Sequence, residues 1–364
     1  MDMKFRYHRM NKINRKQTVL SALILFMVVL TSCSPKASAA TETRVPVITA
    51  GPDSTATPTP FQPVLAESPT SVVLESTPTV QVEKPIWGDY PAPQVFPYYL
   101  GIPAPADLVK QPKGQINILL LGSDQRPYDG GFRTDTMILI TLSPDGEVSL
   151  TSFPRDLYVY IPGWMMQRLN TAYGYGGFNS LAMTFEYNFG VKPDYFVLIN
   201  FDGFRSIINS LGGVTVNVAQ NFSDARDGYY PNYYTVYAGP VYMDADTALW
   251  YVRSRYSSSD IDRLRRSQEV LQAIGLKLLS LDGLNRVPEL YNAYKNNVDT
   301  NLSLEACLKL LPAINLLSDP SGIRRYVIGY QQAYDWVEPS TGAQVLVPLY
   351  DEISVVMHQA LNAP

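Results

Sequence analysis

Cysteine and histidine are almost absent from this sequence. Among 364 residues there are two cysteines, Cys33 and Cys307, and two histidines, His8 and His358. These four residues form no cluster, whereas zinc sites and histidine-dependent catalytic triads require one. A single thiol beyond Cys33 also leaves no partner for an internal disulfide, so Cys307 is expected to be a small core residue.

The sequence also lacks an excess of positive charge and a glycine-rich phosphate loop, two features of proteins that bind nucleic acids or nucleotides. The formal net charge is −4, which argues against a general nucleic-acid-binding protein. The sequence contains no glycine-rich phosphate loop of the P-loop or dinucleotide type. We therefore expect neither nucleic acid nor a loop-bound nucleotide as a partner.

The N-terminus lacks an apolar run of spanning length. The run from Val19 to Leu30 has about a dozen residues after a basic start, short of the roughly 20 that cross a bilayer. This pattern favours an export signal. The following Leu30-Thr31-Ser32-Cys33 resembles the lipobox of bacterial lipoproteins, in which the cysteine is acylated and becomes the new N-terminus. The alternative is an uncleaved anchor, and both place the domain outside the cytoplasm at the outer face of the cell membrane.

Composition divides the chain into four segments. Residues 1–33 are the expected signal peptide with its lipobox. Residues 34–85 are rich in proline and threonine without periodicity, and we expect a disordered tether. Residues 86–114 are richer in aromatic residues and are expected to pack along the domain. Residues 115–364 form the expected folded domain.

The pattern of the domain predicts an α/β fold. Apolar, β-branched runs bounded by glycine, proline and aspartate predict buried strands, and they cover Ile116–Leu121, Met137–Leu142, Val148–Phe153 and Tyr195–Asn200. Helices are predicted for Phe178–Phe189, for a segment capped by Asp202, and for about Asp260–Leu281. Strand, helix and strand in succession imply a crossover. We expect a single domain with a mixed central sheet covered by helices on both faces, a three-layer α-β-α arrangement.

The connection between the first two strands carries a carboxylate at each end. Asp124 follows the first strand, and Arg133 and Asp135 precede the second. Alone, each aspartate is typical of a turn or a helix cap. If the two strands pair, however, both carboxylates approach each other, and converging oxygen ligands suit a hard cation. We therefore expect Asp124 and Asp135 to bind Mg²⁺ or Mn²⁺ beside the guanidinium of Arg133.

Two more arginine motifs follow. Arg155 and Asp156 come after a proline that ends the third strand, and this places Arg155 at the rim of the sheet. The alternative is a surface ion pair of little consequence. Arg253 and Arg255 would lie about 200° apart on a helix but face the same way on an extended chain. They converge only if the preceding helix has ended.

The long C-terminal helix carries the last arginines. Arg263 and Ser267 flank its buried stripe, Arg266 lies further round the same side, and Arg265 is expected to project into solvent. Arginines near a helix N-terminus oppose the helix dipole, and an anionic ligand would explain them. A metal and an arginine cluster are the usual means of holding a diphosphate during phosphoryl transfer. An exported enzyme must use a phosphate that is already activated.

These motifs resemble the LytR-CpsA-Psr family. The resemblance runs in order from Ile116 to Lys277 through LLLGSDQR, RTDTMILITL, SFPRDLYVYIPG, RLNTAYGYGG, INFDGFRSIINSLGGVTVNV, ALWYVRSR and DRLRRSQEVLQAI. It implies a phosphotransferase that moves a glycan-1-phosphate from a polyprenyl diphosphate carrier to a muramic acid 6-hydroxyl of peptidoglycan. By motif position the magnesium-associated aspartates are Asp124 and Asp135, and the diphosphate-binding arginines are Arg133, Arg155, Arg253, Arg255 and Arg263. Of these, Asp124, Asp135, Arg133 and Arg155 are the expected catalytic residues.

The chain departs from the family pattern in two places. The family usually has Arg-Gln-Gln in the long helix, where this chain has Arg266-Ser267-Gln268, and Gln268 is the candidate replacement for the lost phosphate ligand. The family is usually anchored by an uncleaved helix, whereas this chain resembles a lipoprotein at Cys33.

Two rival functions share the predicted site. A diphosphatase would use water as acceptor, and this could also be a side activity of the transferase. A non-catalytic receptor for polyprenyl phosphates or wall glycan would need only the arginines, so the intact aspartate pair favours an enzyme. The sequence identifies no general base, although Asp156 is a candidate.

Overall fold

A computed structural model describes residues 85–125, 132–226, 233–280, 297–303, 306 and 322–361. The predicted signal peptide, the lipobox at Cys33, the tether and Cys307 lie outside these residues. In the part of the chain that the structure describes, no helix is both long enough and apolar enough to span a membrane.

Strands and helices alternate along the domain. The strands are β1 (Ile116–Ser123), β2 (Thr134–Leu142), β3 (Val148–Phe153), β4 (Tyr158–Ile161), β5 (Met165–Arg168), β6 (Tyr195–Asn200), β7 (Val214–Val218), β8 (Phe222–Ala225), β9 (Tyr233–Val236), β10 (Gly239–Met243), β11 (Val298–Thr300), β12 (Ile323–Val327), β13 (Ala333–Val337) and β14 (Gln344–Pro348). The α-helices are α1 (Ala172–Phe189), α2 (Phe201–Ser210), α3 (Ala245–Arg253), α4 (Asp260–Leu279) and α5 (Tyr350–Leu361).

The central sheet is mixed, as predicted. Its strand order is β11-β6-β1-β2-β3-β12 among the described residues. Strand β2 pairs antiparallel with β1 and β3, whereas β6 is parallel to β1 and β12 is parallel to β3. Strands β1, β3 and β6 therefore end at the same edge of the sheet, where β2 begins. This edge, called the carboxyl edge below, carries the candidate site.

Helices cover both faces of the sheet, so the predicted three-layer fold is confirmed. On one face Leu119 and Met137 belong to a buried cluster with Phe185 of α1 and Met357 of α5. On the other face Ile138 and Leu150 form a cluster onto which Leu271 of α4 packs. The alternation of apolar residues along β2 supplies both clusters, since successive side chains point to opposite faces.

Two predicted helix starts differ from the structure. Helix α1 is assigned from Ala172, but Gly176 and Gly177 interrupt it with non-helical backbone angles, so its second part covers the predicted Phe178–Phe189 and a first turn before the break was not predicted. Helix α2 is capped by Asn200 rather than Asp202, because Asn200 is extended and its side chain accepts a 2.8 Å hydrogen bond from the Gly203 amide. Asp202 lies instead in the first turn of α2.

The aromatic-rich leading segment, residues 86–114, contacts the end of α1. The amides of Ala106 and Val109 donate to the carbonyls of Tyr187 and Gly190, at 2.7 and 2.9 Å. Gly190 has φ +68°, and a Cβ there would lie 2.2 Å from the Asp107 carbonyl oxygen. This close approach of two backbones requires glycine, which also ends α1 as predicted.

Candidate active site

A β-bulge shapes the carboxyl edge between β1 and β2. Gly122 pairs with Thr136 and Ser123 pairs with Thr134, so Asp135 is an extra residue without a partner in β1. Such bulges bend a strand and redirect a side chain. The carbonyl of this extra residue accepts a 3.1 Å hydrogen bond from Nη2 of Arg263 on α4.

Asp124 and Arg133 bind each other across the two ends of the connection between these strands. The Arg133 guanidinium donates to Oδ2 of Asp124 at 3.0 Å from Nη2 and 3.3 Å from Nε. The backbone of Arg133 also donates to Oδ1 of Asp124 at 3.1 Å. The side chain of Arg133 is 50% exposed, so this pair can separate at little cost when a competing anion binds.

Asp135 is held from two sides. Nη1 of Arg155 lies 2.7 Å from Oδ2 of Asp135, and Nδ2 of Asn170 donates to Oδ1 at 3.3 Å. Burial lowers the pKa of Arg155, but the surrounding carboxylates of Asp135, Asp156 and Asp260 raise it above its ordinary value. Arg155 is therefore a permanent cation, as binding a diphosphate requires.

Asp156 lies between two arginines. Its carboxylate oxygens are each 3.3 Å from a guanidinium nitrogen, one from Nε of Arg155 and the other from Nη1 of Arg168. As a general base, Asp156 would have to take up a proton where it now accepts these two charge-assisted hydrogen bonds. The arrangement favours a role in orienting Arg155.

Asp260, in the first turn of α4, connects the arginines from two elements. Its Oδ1 is 2.8 Å from Nη2 of Arg263 and 3.8 Å from Nη1 of Arg255. Arg263 is buried and reaches the Asp135 carbonyl. The structure thus places Arg263 at the rim of the sheet, the position expected for it from sequence.

Arg253 and Arg255 lie where α3 has ended. The helix ends at Arg253, and Ser254 is extended, with φ −65° and ψ 137°. The Arg253 guanidinium lies 4.0 Å from the ring centre of Phe201, the first residue after β6. Arg253 is thus the last residue of α3 and Arg255 follows the extended Ser254, so the predicted end of the helix falls between them, and each contacts a different partner, Phe201 and Asp260.

Gln268 is not placed to bind a phosphate. It is 1% exposed, and its Nε2 donates to the Leu150 carbonyl at 3.3 Å, the Ser152 hydroxyl at 2.8 Å and the Tyr326 carbonyl at 2.9 Å. These bonds attach α4 to β3 and β12. The predicted phosphate contact of Gln268 does not agree with this position, because its amide is used within the core.

The expectation that Arg265 projects into solvent is wrong. Its guanidinium pairs with Asp262 at 2.6 Å and also with Glu269. Arg266 is 0% exposed, donates to the Tyr251 carbonyl and pairs with Asp262 at 3.1 Å. Burial tends to raise the pKa of Asp262, but Arg265 and Arg266 bring it below its ordinary value. We call these five residues the buried network.

Sequence reasoning missed Asn170, Arg168 and Asp260. Asn170 is 1% exposed, and its Oδ1 has no hydrogen-bond partner among the described residues. Its backbone amide donates to the Arg155 carbonyl at 3.1 Å, which joins it to the site. The available signal was the pair of polar residues Arg168 and Asn170 on either side of Leu169, at the end of the β4–β5 hairpin.

The donor set at the carboxyl edge fits a hard divalent cation. Asp124 and Asp135 offer carboxylate oxygens, and Asn170, which donates to Asp135, has an Oδ1 without a hydrogen-bond partner among the described residues. No group of three or more histidine, cysteine, aspartate or glutamate residues suited to a metal occurs among the described residues. Two carboxylates agree with Mg²⁺, which keeps several waters and takes substrate phosphate oxygens as its remaining ligands.

The profile of the LytR_cpsA_psr family matches residues 98–342, more than half of the chain. The chain belongs to this family. It is 36% identical over 208 residues to the polyisoprenyl-teichoic acid–peptidoglycan teichoic acid transferase TagU of Oceanobacillus iheyensis, covering 55% of this chain and 62% of that protein. It is 31% identical over 219 residues to the Bacillus subtilis protein of the same name, covering 59% of this chain and 67% of that protein. The chain thus spans just under two thirds of the length of the Oceanobacillus relative.

Solved structures support the family fold. A Streptococcus agalactiae protein superposes with a TM-score of 0.57 at 27% identity, covering 68% of this chain and 86% of that one. Bacillus subtilis TagU superposes with a TM-score of 0.52 at 25% identity, covering 69% of this chain and 99% of that one. The LytR_cpsA_psr domain is therefore an α/β domain with a mixed central sheet.

Proposed function

We propose that this chain attaches a glycopolymer to peptidoglycan outside the cytoplasm. The donor is a glycopolymer linked through a diphosphate to a polyprenyl carrier, and the acceptor is a muramic acid 6-hydroxyl. The observation that carries the proposal is the meeting of Asp124, Asp135 and four guanidinium groups, those of Arg133, Arg155, Arg255 and Arg263, at one edge of the sheet. The names of the curated relatives describe the same class of transfer.

The reaction is a substitution at phosphorus. The acceptor hydroxyl oxygen forms a bond to the phosphorus that carries the sugar, and the bond from that phosphorus to the bridging oxygen breaks. Polyprenyl monophosphate leaves with the bridging oxygen and its electron pair, and the hydroxyl proton passes to a base or to water. Arginine forks bind phosphate oxygens in pairs and stabilise the charge that grows on them.

The two aspartates would hold Mg²⁺, or Mn²⁺ in its place. When bound, this ion would neutralise charge on the diphosphate and increase the electrophilicity of phosphorus. Arg133 and Arg155 now pair with Asp124 and Asp135. In the proposed complex, phosphate oxygens replace these carboxylates as partners of the arginines, which leaves the carboxylates to the metal.

The test is a reconstituted transfer reaction. The protein is incubated with Mg²⁺, a polyprenyl diphosphate glycan and peptidoglycan fragments, and the products are analysed by mass spectrometry. A phosphodiester between glycan and fragment supports the proposal. Free glycan phosphate with no fragment adduct would instead identify a diphosphatase. An intact donor that remains bound would identify a receptor.

We also propose that the domain is tethered to the outer face of the membrane through a lipid on Cys33. The lipobox-like Leu30-Thr31-Ser32-Cys33 and the short apolar run before it support this. Mass spectrometry of the membrane-extracted protein should find a diacylglyceryl group on an N-terminal Cys33. An intact Met1 start, or normal processing of Cys33→Ala, would contradict it.

A further inference from the structure

The leading segment presents a cluster of aromatic side chains to solvent. Phe96 and Tyr99 are more than half exposed, and Tyr98 is 93% exposed. The neighbouring Val95 is exposed as well. We call these four residues the aromatic patch. Apolar residues that are scattered singly over a surface need no explanation, whereas a contiguous group of them usually marks an interaction site.

The backbone of the aromatic patch is fixed on the domain. The amides of Gln94 and Val95 both donate to the carbonyl of Trp164, at 2.8 and 3.2 Å. The ring of Phe96 packs edge-on against that of Trp87, with 5.9 Å between the ring centres. These contacts hold the patch in place before any partner arrives, so little ordering entropy is lost when it binds.

The leading segment is suited to a weakly polar environment. Asp89 is the one charged residue in the sequence from 85 to 106, and six of these residues are prolines, which have no backbone N–H to desolvate. The charged groups around the segment are of both signs, namely Asp89, Asp107, Lys110 and the pair of Glu186 with Lys192 at 3.7 Å. Apolar contact rather than net charge would therefore dominate binding here.

A hairpin joins the aromatic patch to the candidate site. Trp164, which accepts the two hydrogen bonds that attach the patch, lies in the turn before β5. Strand β5 ends at Arg168, whose guanidinium lies 3.3 Å from the carboxylate of Asp156 at the site. At about 3.3 Å per residue, the steps from Trp164 to Arg168 cover roughly 13 Å. Whatever covers the patch therefore lies close to the candidate site.

The chain before the patch indicates what would cover it. The described residues begin at Pro85, shortly before the patch, and the proposed lipid on Cys33 lies at the other end of the tether. A flexible chain of about 50 residues has an average span of roughly 40 Å. The tether would thus keep the domain near the membrane without placing it there. It also raises the effective concentration of the lipid surface, so that even a weak contact is occupied.

We propose that the aromatic patch docks the domain on the lipid surface of the membrane, with its rings among the headgroups. Tyrosine is enriched at that depth because its ring is apolar at one end and polar at the other. The inference rests on the proposed membrane tether, whereas it does not depend on the transfer reaction. The family profile begins at residue 98, so Val95 and Phe96 precede it and the patch is partly a feature of this chain.

Fluorescence quenching in lipid vesicles tests the docking. The full-length protein is reconstituted through its own N-terminus, so the tether is present whether Cys33 is lipidated or the anchor is uncleaved. In a Cys307→Ser background, a fluorophore is attached to Gln94→Cys beside the patch, or to Asn217→Cys on the exposed side of β7. The labelled parent supplies the background signal. A quencher on the lipid headgroups should quench the label at 94 strongly and the label at 217 little.

Two double variants complete the design. Phe96→Ser with Tyr98→Ser removes two rings from the patch and should lower the ratio of docked to undocked domain about tenfold or more. Tyr237→Ser with Tyr330→Ser removes two similarly exposed rings outside the patch and should leave the quenching unchanged. Zwitterionic and anionic vesicles should give the same result at low and high salt, because the patch carries no charge of its own.

Three outcomes would overturn the inference. Equal quenching at the two label positions, or quenching that survives the loss of Phe96 and Tyr98, would show that the patch does not dock. Quenching that high salt abolishes would replace ring insertion by charge attraction. Labels at 94 that quench one another in vesicles without quencher, as the protein density rises, would identify an interface between two copies instead.

The docking and the transferase can fail separately. A protein that docks but transfers nothing would retain the docking and overturn the transferase. Transfer by a protein whose label at 94 is not quenched would retain the transferase and overturn the docking. Thermal melts of each variant confirm that lost docking is not a lost fold.

Discussion

The contacts of Arg133 and Arg155 at the carboxyl edge and those of Arg266 in the buried network join the same residue types but differ in burial. At the edge, Arg133 and Arg155 each contact a carboxylate while remaining 50% and 16% exposed. In the network, Arg266 is fully buried and also donates to the backbone carbonyls of Tyr251 and Ser254. Backbone contacts fix α3 against α4 and cannot be exchanged for a ligand. Carboxylate contacts at an accessible edge can be exchanged, and this difference separates the candidate site from the scaffold.

The largest expected effect is the loss of stability when the buried network loses Arg266. Arg266→Ala leaves the Tyr251 and Ser254 carbonyls without their guanidinium donor and leaves Asp262 with Arg265 alone. Removing one member of a buried pair costs about 3–5 kcal/mol. Urea unfolding measures the loss, with exposed Arg325→Ala as a control expected to stay within about 0.5 kcal/mol of wild type. A loss below about 1 kcal/mol for Arg266→Ala would mean that the network is no more important than a surface pair.

The next prediction compares one aspartate of each region, and the two substitutions should have opposite effects on activity and stability. Asp135→Asn should lower kcat/KM about 100- to 1000-fold, because a charged group at the reacting phosphates is lost. Its free energy of unfolding should change by less than about 1 kcal/mol, since the partner Arg155 can turn to water. Asp262→Asn should show the reverse, with a large loss of stability and little change in kcat/KM once folded. Unfolding curves and transfer rates are measured for both variants. If each variant lost both stability and activity, the two regions would not have separate roles.

Neighbouring arginines on α4 sharpen the comparison further. Arg263→Ala removes contacts to Asp260 and to the Asp135 carbonyl, and we expect donor affinity or rate to fall by about 1.5–3 kcal/mol, or one to two decades. Arg265→Ala should change the rate less than about twofold but lower the free energy of unfolding by about 1 kcal/mol, through loss of Asp262 and Glu269. Binding, transfer and melting are measured for both. Equal rate losses would indicate a general basic patch.

A smaller effect is expected at Asn170. Its amide orients the carboxylate of Asp135, and losing such an orienting contact costs about tenfold in metal affinity or activity. Asn170→Ala should therefore raise the Mg²⁺ concentration that gives half-maximal transfer, with little change in the KM for the donor. A changed donor KM at an unchanged Mg²⁺ requirement would contradict a positioning role.

The smallest effect is a pH dependence of the network. The pKa of Asp262 is lowered in the folded state, so its contribution is fully present above the unfolded aspartate pKa of about 3.9. It is lost as pH falls through the lower folded value. The stability difference between wild type and Asp262→Asn should therefore be constant from about pH 5 to 7 and shrink below about pH 4. Urea unfolding at three pH values tests this, and a difference that grows in acid would reverse the assignment.

The fold was largely predictable because its strands are apolar, β-branched runs with distinct boundaries. Their order alone placed Asp124, Asp135 and Arg155 at one edge, because the ends of paired strands must meet. The position of Arg263 followed from helical period, which gives the buried side of α4.

The environments of Arg266 and Gln268 could not be predicted in this way. Gln268 contacts Tyr326 of β12, which is 58 residues away. Arg266 is enclosed by α3 and the chain after it, through Tyr251, Ser254 and Ser258. Helical period tells which side of α4 is apolar, but it does not tell which distant segment covers the polar remainder.

The bulge at Asp135 has a consequence for how this protein can change. Loss of the single codon for Asp135 would leave Ser123 opposite Thr134 and Gly122 opposite Thr136, which is a continuous ladder without the bulge. Met137 and Leu139 would keep their partners and their places in the core. One in-frame deletion is therefore expected to remove a proposed metal ligand while the sheet and the arginines of the carboxyl edge are retained.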